Sequence, residues 1–92
     1  MTNMEHLTIC RDYWSKEIQQ VVERAINCKE LTPAVAEWYV SEVKGLENKI
    51  YGMLGYAYAC NDISNKEQMK LFNETMAYAR DAIDTIHAAR KR

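Results

Sequence analysis

The amino-acid sequence predicts an all-α fold, an up-down-up antiparallel three-helix bundle of long helices that is completed by dimerisation. Three observations lead to this prediction. Apolar residues recur at steps of three and four along three segments, which is the spacing of one helix face. Each segment opens with a helix-capping signal. Only one proline and three glycines interrupt the 92 residues, so the linkers are short and consecutive helices are expected to run antiparallel.

The first predicted helix, at about residues 3–28 of a single domain spanning 1–92, follows a capping signal at Thr2. Glu5, three residues later, can return a hydrogen bond to the Thr2 backbone and complete a capping box. Cysteines lie in the apolar stripe of this helix, so we expect them to be reduced and buried. The stripe consists of Leu7, Cys10, Trp14, Ile18, Val21, Ala25 and Cys28.

The second predicted helix, at about residues 33–60, has the clearest start. Thr32 can cap it, and Pro33 occupies the first helical position, where a missing N–H costs nothing. Its apolar positions follow a strict heptad, which predicts packing in a bundle. One row is Ala36, Val43, Ile50 and Ala57, and the other is Tyr39, Leu46, Met53 and Cys60. Asn61 and Asp62 are expected to end the helix.

The third predicted helix, at about residues 65–90, opens with a second capping box formed by Ser64 and Glu67. Its heptad is also unbroken, so we expect one continuous buried seam. The predicted seam is Met69, Phe72, Met76, Ala79, Ile83 and Ile86, widened on one flank by Leu71, Tyr78, Ala82 and Ala89.

The most informative feature is an uncharged stretch in the second helix, residues 50–60, which contains three tyrosines and two glycines. A helix that is apolar all round must be covered on more than one side. Glycines also cost a helix roughly 1 kcal/mol each relative to alanine, so a face that keeps them is expected to make contact there. The predicted interaction residues are Trp38, Gly45, Tyr51, Gly52, Gly55, Tyr56, Tyr58 and Ala59.

Two explanations of this face remain open at this stage. In the first, the first or third helix packs across it and the tyrosines are half-buried with hydrated hydroxyls. In the second, the face is a homodimer seam or a docking surface for another protein, because tyrosine combines a large apolar ring with a polar tip.

No pattern in the chain indicates catalysis, a metal site or a cofactor. His6 and His87 lie at opposite ends of the predicted bundle, and no spacing of histidine and acidic residues typical of a metal site occurs. The cysteines are three in number and widely spaced, which indicates neither a disulfide framework nor zinc. We therefore predict that the protein is not an enzyme.

The predicted function is that of a small non-enzymatic protein-interaction module, an adaptor or an inhibitor, that forms a homodimer or a larger homo-oligomer. By analogy of size alone, it could be a phage- or plasmid-encoded inhibitor of a host defence protein. One alternative is a helical oligomer that binds or sequesters a small ligand, such as a nucleotide, between protomers. A further alternative is an RNA- or DNA-binding helical dimer, against which the net charge of −1 argues.

The sequence also predicts a cytoplasmic location, in the native or a host cell, and no membrane association. The first residues do not show the basic and apolar regions of a signal peptide. The uncharged stretch is shorter than the ~20 apolar residues that a bilayer span requires.

Overall fold

The chain forms a bundle of three α-helices. A computed structural model describes residues 2–90, so Met1, Lys91 and Arg92 of the predicted domain lie outside it. Within the described residues there are three helices and no strand: α1 (Asn3–Ile26), α2 (Pro33–Ala59) and α3 (Asn65–Ala89). Each helix packs against both others. The all-α class and the three-helix bundle are therefore confirmed.

Reciprocal capping boxes begin α1 and α3. The Glu5 backbone N–H donates to the Thr2 hydroxyl at 3.1 Å, and the Thr2 backbone N–H donates to the Glu5 carboxylate at 3.4 Å. At α3, the Glu67 N–H donates to the Ser64 hydroxyl at 3.1 Å, and the Ser64 N–H donates to the Glu67 carboxylate at 2.9 Å. Both boxes satisfy backbone donors that the first helical turn leaves unpaired, and both were predicted.

Local chemistry also fixes both ends of α2. The Thr32 hydroxyl accepts from the Val35 N–H at 3.2 Å, with proline at the first helical position. At the other end Asn61 adopts a left-handed conformation with φ 62°. The Asp62 N–H then donates to the Ala57 carbonyl at 2.9 Å, and the Asn61 N–H donates to the Tyr58 carbonyl at 3.0 Å. This is a Schellman motif, in which asparagine tolerates the conformation better than most residues.

The core runs along the interior of the bundle, and α2 contributes one predicted row in full. Ala36, Val43, Ile50 and Ala57 are all buried. The second predicted row is confirmed only in part, because the fully buried residues beside the first row are Val40 and Leu54. Three members of the second predicted row are half-buried and pack against the core, namely Tyr39, Leu46 and Met53, whereas Cys60 is exposed.

The seam of α3 is rotated towards the predicted flank: Ala79 and Ile86 of the predicted heptad and Leu71 and Ala82 of the flank are buried. The buried residues are Gln68, Leu71, Thr75, Ala79, Ala82 and Ile86. Met69 and Met76, which were expected in the core, are 48% and 44% exposed. Thr75 can lie in the core because its hydroxyl donates to the Leu71 carbonyl at 2.8 Å, which satisfies it within the helix.

The prediction that the cysteines are buried in the core is wrong. Cys10 and Cys60 are exposed, and Cys28 is half-buried. The buried residues of α1 are Ile18, Val21, Val22 and Ala25, all in its C-terminal half. Cys10 lies in the N-terminal half, where its helix neighbours Leu7 and Trp14 are themselves only partly buried.

Candidate functional site

One face of α2 points away from both other helices, and we call it the outer face. Its central row repeats every seven residues, which keeps Trp38, Gly45, Gly52 and Ala59 on one side of the helix. Trp38 is 56% exposed and Tyr56, one turn after Gly52, is 73% exposed. The residues of the outer face are Trp38, Ser41, Gly45, Asn48, Gly52, Gly55, Tyr56 and Ala59. All of them are exposed except Gly55, which is half-buried.

The three glycines of the outer face are not needed for packing within the chain. A Cβ atom placed on Gly45, Gly52 or Gly55 meets no other atom within 4 Å. The first explanation is therefore wrong for the glycines, which neither α1 nor α3 covers, and it holds for Tyr51, which is half-buried against Phe72 of α3. None of the three glycines has a positive φ, so backbone conformation does not require them either.

Replacing these glycines by alanine is expected to stabilise the isolated chain. Each change removes the conformational-entropy cost of a helical glycine, so Gly45→Ala, Gly52→Ala and Gly55→Ala should each raise the free energy of unfolding by roughly 0.5–1 kcal/mol. Urea denaturation of the dilute protein, followed by circular dichroism, measures this. Destabilisation by all three changes would mean that the glycines are required by the fold.

Two of the predicted interaction residues lie elsewhere, in the groove between α2 and α3. The Tyr51 ring packs on Phe72 with 5.0 Å between ring centroids, and its hydroxyl donates to the Glu47 carboxylate. Burial and this hydrogen bond raise the pKa of Tyr51. Tyr58 follows Tyr51 by seven residues and is 44% exposed. The structure therefore groups Trp38, the glycines, Tyr56 and Ala59, and separates Tyr51 and Tyr58 from them.

Charged side chains border the outer face on the side of α1. The Lys49 ammonium lies 4.9 Å from the centroid of the Trp14 ring, a cation–π distance. Glu42 lies 3.7 Å from the Arg24 guanidinium, too far for a good hydrogen bond. One carboxylate oxygen of Glu42, Oε2, is buried and has no hydrogen-bond partner among residues 2–90. This flank therefore carries one cation and one carboxylate, each in contact with a side chain of α1.

A second apolar surface, which was not predicted from the sequence, runs along the groove between α2 and α3. Met69 and Met76 are exposed there, and Phe72 and Ile83 are partly buried beside the core. A shallow depression in this groove is lined by Glu47, Met76, Arg80 and Ile83. The signal was present in the sequence, because α3 carries more apolar residues than one seam needs. They were assigned to the core instead.

The described residues show no arrangement that suggests metal chemistry or a membrane span. No group of three or more histidine, cysteine, aspartate or glutamate side chains between Thr2 and Arg90 is placed to hold a metal ion. In the same part of the chain, no helix has the length and apolar character needed to cross a bilayer. Comparison with protein-family models, curated proteins and solved structures found no match to this chain.

Proposed function

We propose that this chain is a protein-binding module that acts through the outer face of α2, as an adaptor or an inhibitor, and that a second copy of the chain is its first partner. The supporting observation is the combination of glycines and exposed aromatic rings on one uncovered helix face. Gly45, Gly52 and Gly55 leave open space beside the backbone, and Trp38 and Tyr56 are the most exposed large apolar residues of α2.

This combination favours a helix or another regular element as the occupant of the face. Glycines allow a second backbone to approach closely, because no Cβ intervenes. Tryptophan and tyrosine are enriched among the residues that contribute most to protein–protein binding. Helical glycines are costly when exposed, so contact with a partner is the physical reason we assign to them.

We further infer that the helices run up, down and up, so that the outer face of α2 lies along one side of the bundle. Contacts between helices support this course. Residue numbers run in opposite senses between α1 and α2 and between α2 and α3, and in the same sense between α1 and α3. The contacts are Trp14–Lys49 and Arg24–Glu42, Glu37–His87 and Tyr51–Phe72, and Arg11–Glu74 and Ser15–Tyr78.

The two alternative functions find less support in the geometry. A nucleotide held between protomers needs cations near the aromatic rings, and residues 50–60 carry none. A nucleic-acid surface needs an excess of basic side chains, whereas the two charged residues that border the outer face, Glu42 and Lys49, balance each other. Protein is therefore the partner class that we propose.

Site-directed photo-crosslinking tests the proposed function. A photoreactive amino acid replaces Ser41 on the outer face or, as a control, Ala77 on an exposed side of α3. We expect irradiation to give protein adducts from position 41, with the purified chain or with extract of its native cell, and few from position 77. Adding Gly52→Leu should remove the adducts from position 41. Absence of adducts from position 41 in both samples, or equal yields from both positions, would contradict the proposal.

A further inference from the structure

We propose that two copies of the chain pair through their outer faces as antiparallel α2 helices, with the two-fold axis passing beside Gly45. This inference rests on the proposed function and specifies its partner, orientation and register. A two-fold interface uses the same surface on both copies, so every contact must be self-complementary. Three properties of the outer face meet that condition when the axis lies at Gly45.

The first property is the match of a large side chain to a small one. Trp38 lies seven residues before Gly45, and Gly52 lies seven residues after it. An antiparallel pair centred on Gly45 therefore places Trp38 opposite the partner's Gly52, and this contact occurs twice. The ring is 56% exposed, and no atom lies within 4 Å of the position a Cβ would take on Gly52. An indole can thus lie directly on the helix backbone.

The second property is the charge on the flank nearest α1. Glu42 and Lys49 lie on the same side of the Gly45 row, each within about 60° of it around the helix. In an antiparallel pair the two-fold axis is perpendicular to both helices. The flank of one α2 that carries Glu42 and Lys49 therefore lies beside the same flank of the partner's α2. Because Glu42 precedes Gly45 by three residues and Lys49 follows it by four, Glu42 faces the partner's Lys49 across the seam, again twice. The Glu42 side chain stays 32% exposed although its Oε2 lies 3.7 Å from Arg24, so the exposed part of the carboxylate can meet a second cation.

The third property is the polar match on the opposite flank. Ser41 precedes Gly45 by four residues and Asn48 follows it by three, and both are exposed. The same axis brings the Ser41 hydroxyl towards the partner's Asn48, whose side-chain amide carries both an acceptor oxygen and N–H donors. Lys44 is the residue before Gly45, but it lies about 100° around the helix from the Gly45 row and is therefore outside the seam.

Parallel pairing fits the face less well. In a parallel pair each residue of the central row meets its own copy, so Trp38 would meet the partner's Trp38 and Gly52 would meet the partner's Gly52. Two indole rings at one level would hold the helices apart, and the glycines two and four turns away would face a gap. Interiors and interfaces are close-packed, so the antiparallel register is the one that uses both the tryptophan and the glycines.

Charge exchange between the two members of the predicted ion pair tests this register. Sedimentation equilibrium gives the dimer dissociation constant of the wild type, Glu42→Lys, Lys49→Glu and the double variant. Each single change places like charges opposite each other at two sites, so we expect the dissociation constant to rise about tenfold. The double variant, and a 1:1 mixture of the two single variants, should recover association to within about threefold of the wild type. Recovery in the mixture excludes misfolding of the single variants as the cause.

Three outcomes would overturn the proposed register. One is a monomeric wild type, another is association that neither change weakens, and the third is failure of the mixture and the double variant to recover. Parallel helices would give the second outcome, because a two-fold axis along the helices sets the flank of Glu42 and Lys49 against the uncharged flank of Ser41 and Asn48. The crosslinking result separates these failures from failure of the proposed function. If position 41 still crosslinks to another protein, the outer face binds protein and only self-pairing is wrong.

Discussion

Leu71→Ala is expected to lower the free energy of unfolding by about 2–5 kcal/mol, whereas Met69→Ala should cost less than about 1 kcal/mol. Leu71 is 1% exposed and Met69 is 48% exposed, although the heptad pattern of the sequence places Met69 in the core. Removing the buried side chain leaves a cavity, while removing the exposed one loses only part of its contacts. Urea denaturation of both variants at low protein concentration measures the difference.

The size of the Leu71→Ala effect makes it a sharp test of the fold. A domain of this length is stable by only about 5–15 kcal/mol, so the change should lower the midpoint of thermal unfolding by roughly 10 °C or more. The two residues are two positions apart on different sides of one helix, so each controls for the other. If Met69→Ala cost as much as Leu71→Ala, the rotation of the α3 seam described above would be wrong.

Gly52→Leu is expected to raise the dissociation constant of the dimer about a hundredfold or more while leaving the monomer folded. A leucine at this position occupies the space assigned to the partner's Trp38, and overpacking typically costs about 1–3 kcal/mol at each of the two symmetry-related sites. Within the monomer the site is open, and leucine has the higher helix propensity, so unfolding should be unchanged or harder by up to about 1 kcal/mol. Light scattering gives the mass, and circular dichroism gives the stability.

Ala77→Leu is the matched control for Gly52→Leu, because it adds a leucine at an exposed position on α3. We expect this variant to associate as the wild type does. Equal dimer dissociation constants for both variants would show that Gly52 is not part of the interface. A Gly52→Leu chain that fails to fold would contradict the open space observed around the glycine.

Helix ends were predictable from sequence because their chemistry is local. Thr2 with Glu5, and Ser64 with Glu67, satisfy each other's backbone groups within one turn, so neither depends on the rest of the fold. The rotation of the α3 seam was not predictable in this way. It depends on where α1 and α2 lie, and burial of Thr75 becomes acceptable only because its hydroxyl bonds back to the Leu71 carbonyl.

The candidate site was partly predictable for a related reason. A seven-residue repeat places Gly45 and Gly52 on one helix face whatever packs against the helix, so that row could be read from spacing. The role of Tyr51 could not, because it depends on Phe72 reaching it from α3. Spacing alone does not say whether another helix covers the glycines, and the open space beside them is visible only in the three-dimensional arrangement.

Fluorescence of Trp38 tests the central claim most directly, namely that a second copy covers the outer face of α2. Trp14→Phe removes the other tryptophan of the chain and leaves Trp38 as the only indole reporter. We predict that its emission maximum shifts to shorter wavelength as the protein concentration rises a hundredfold, and that adding Gly52→Leu abolishes the shift. Emission typical of a hydrated indole, unchanged over the whole range, would contradict the claim.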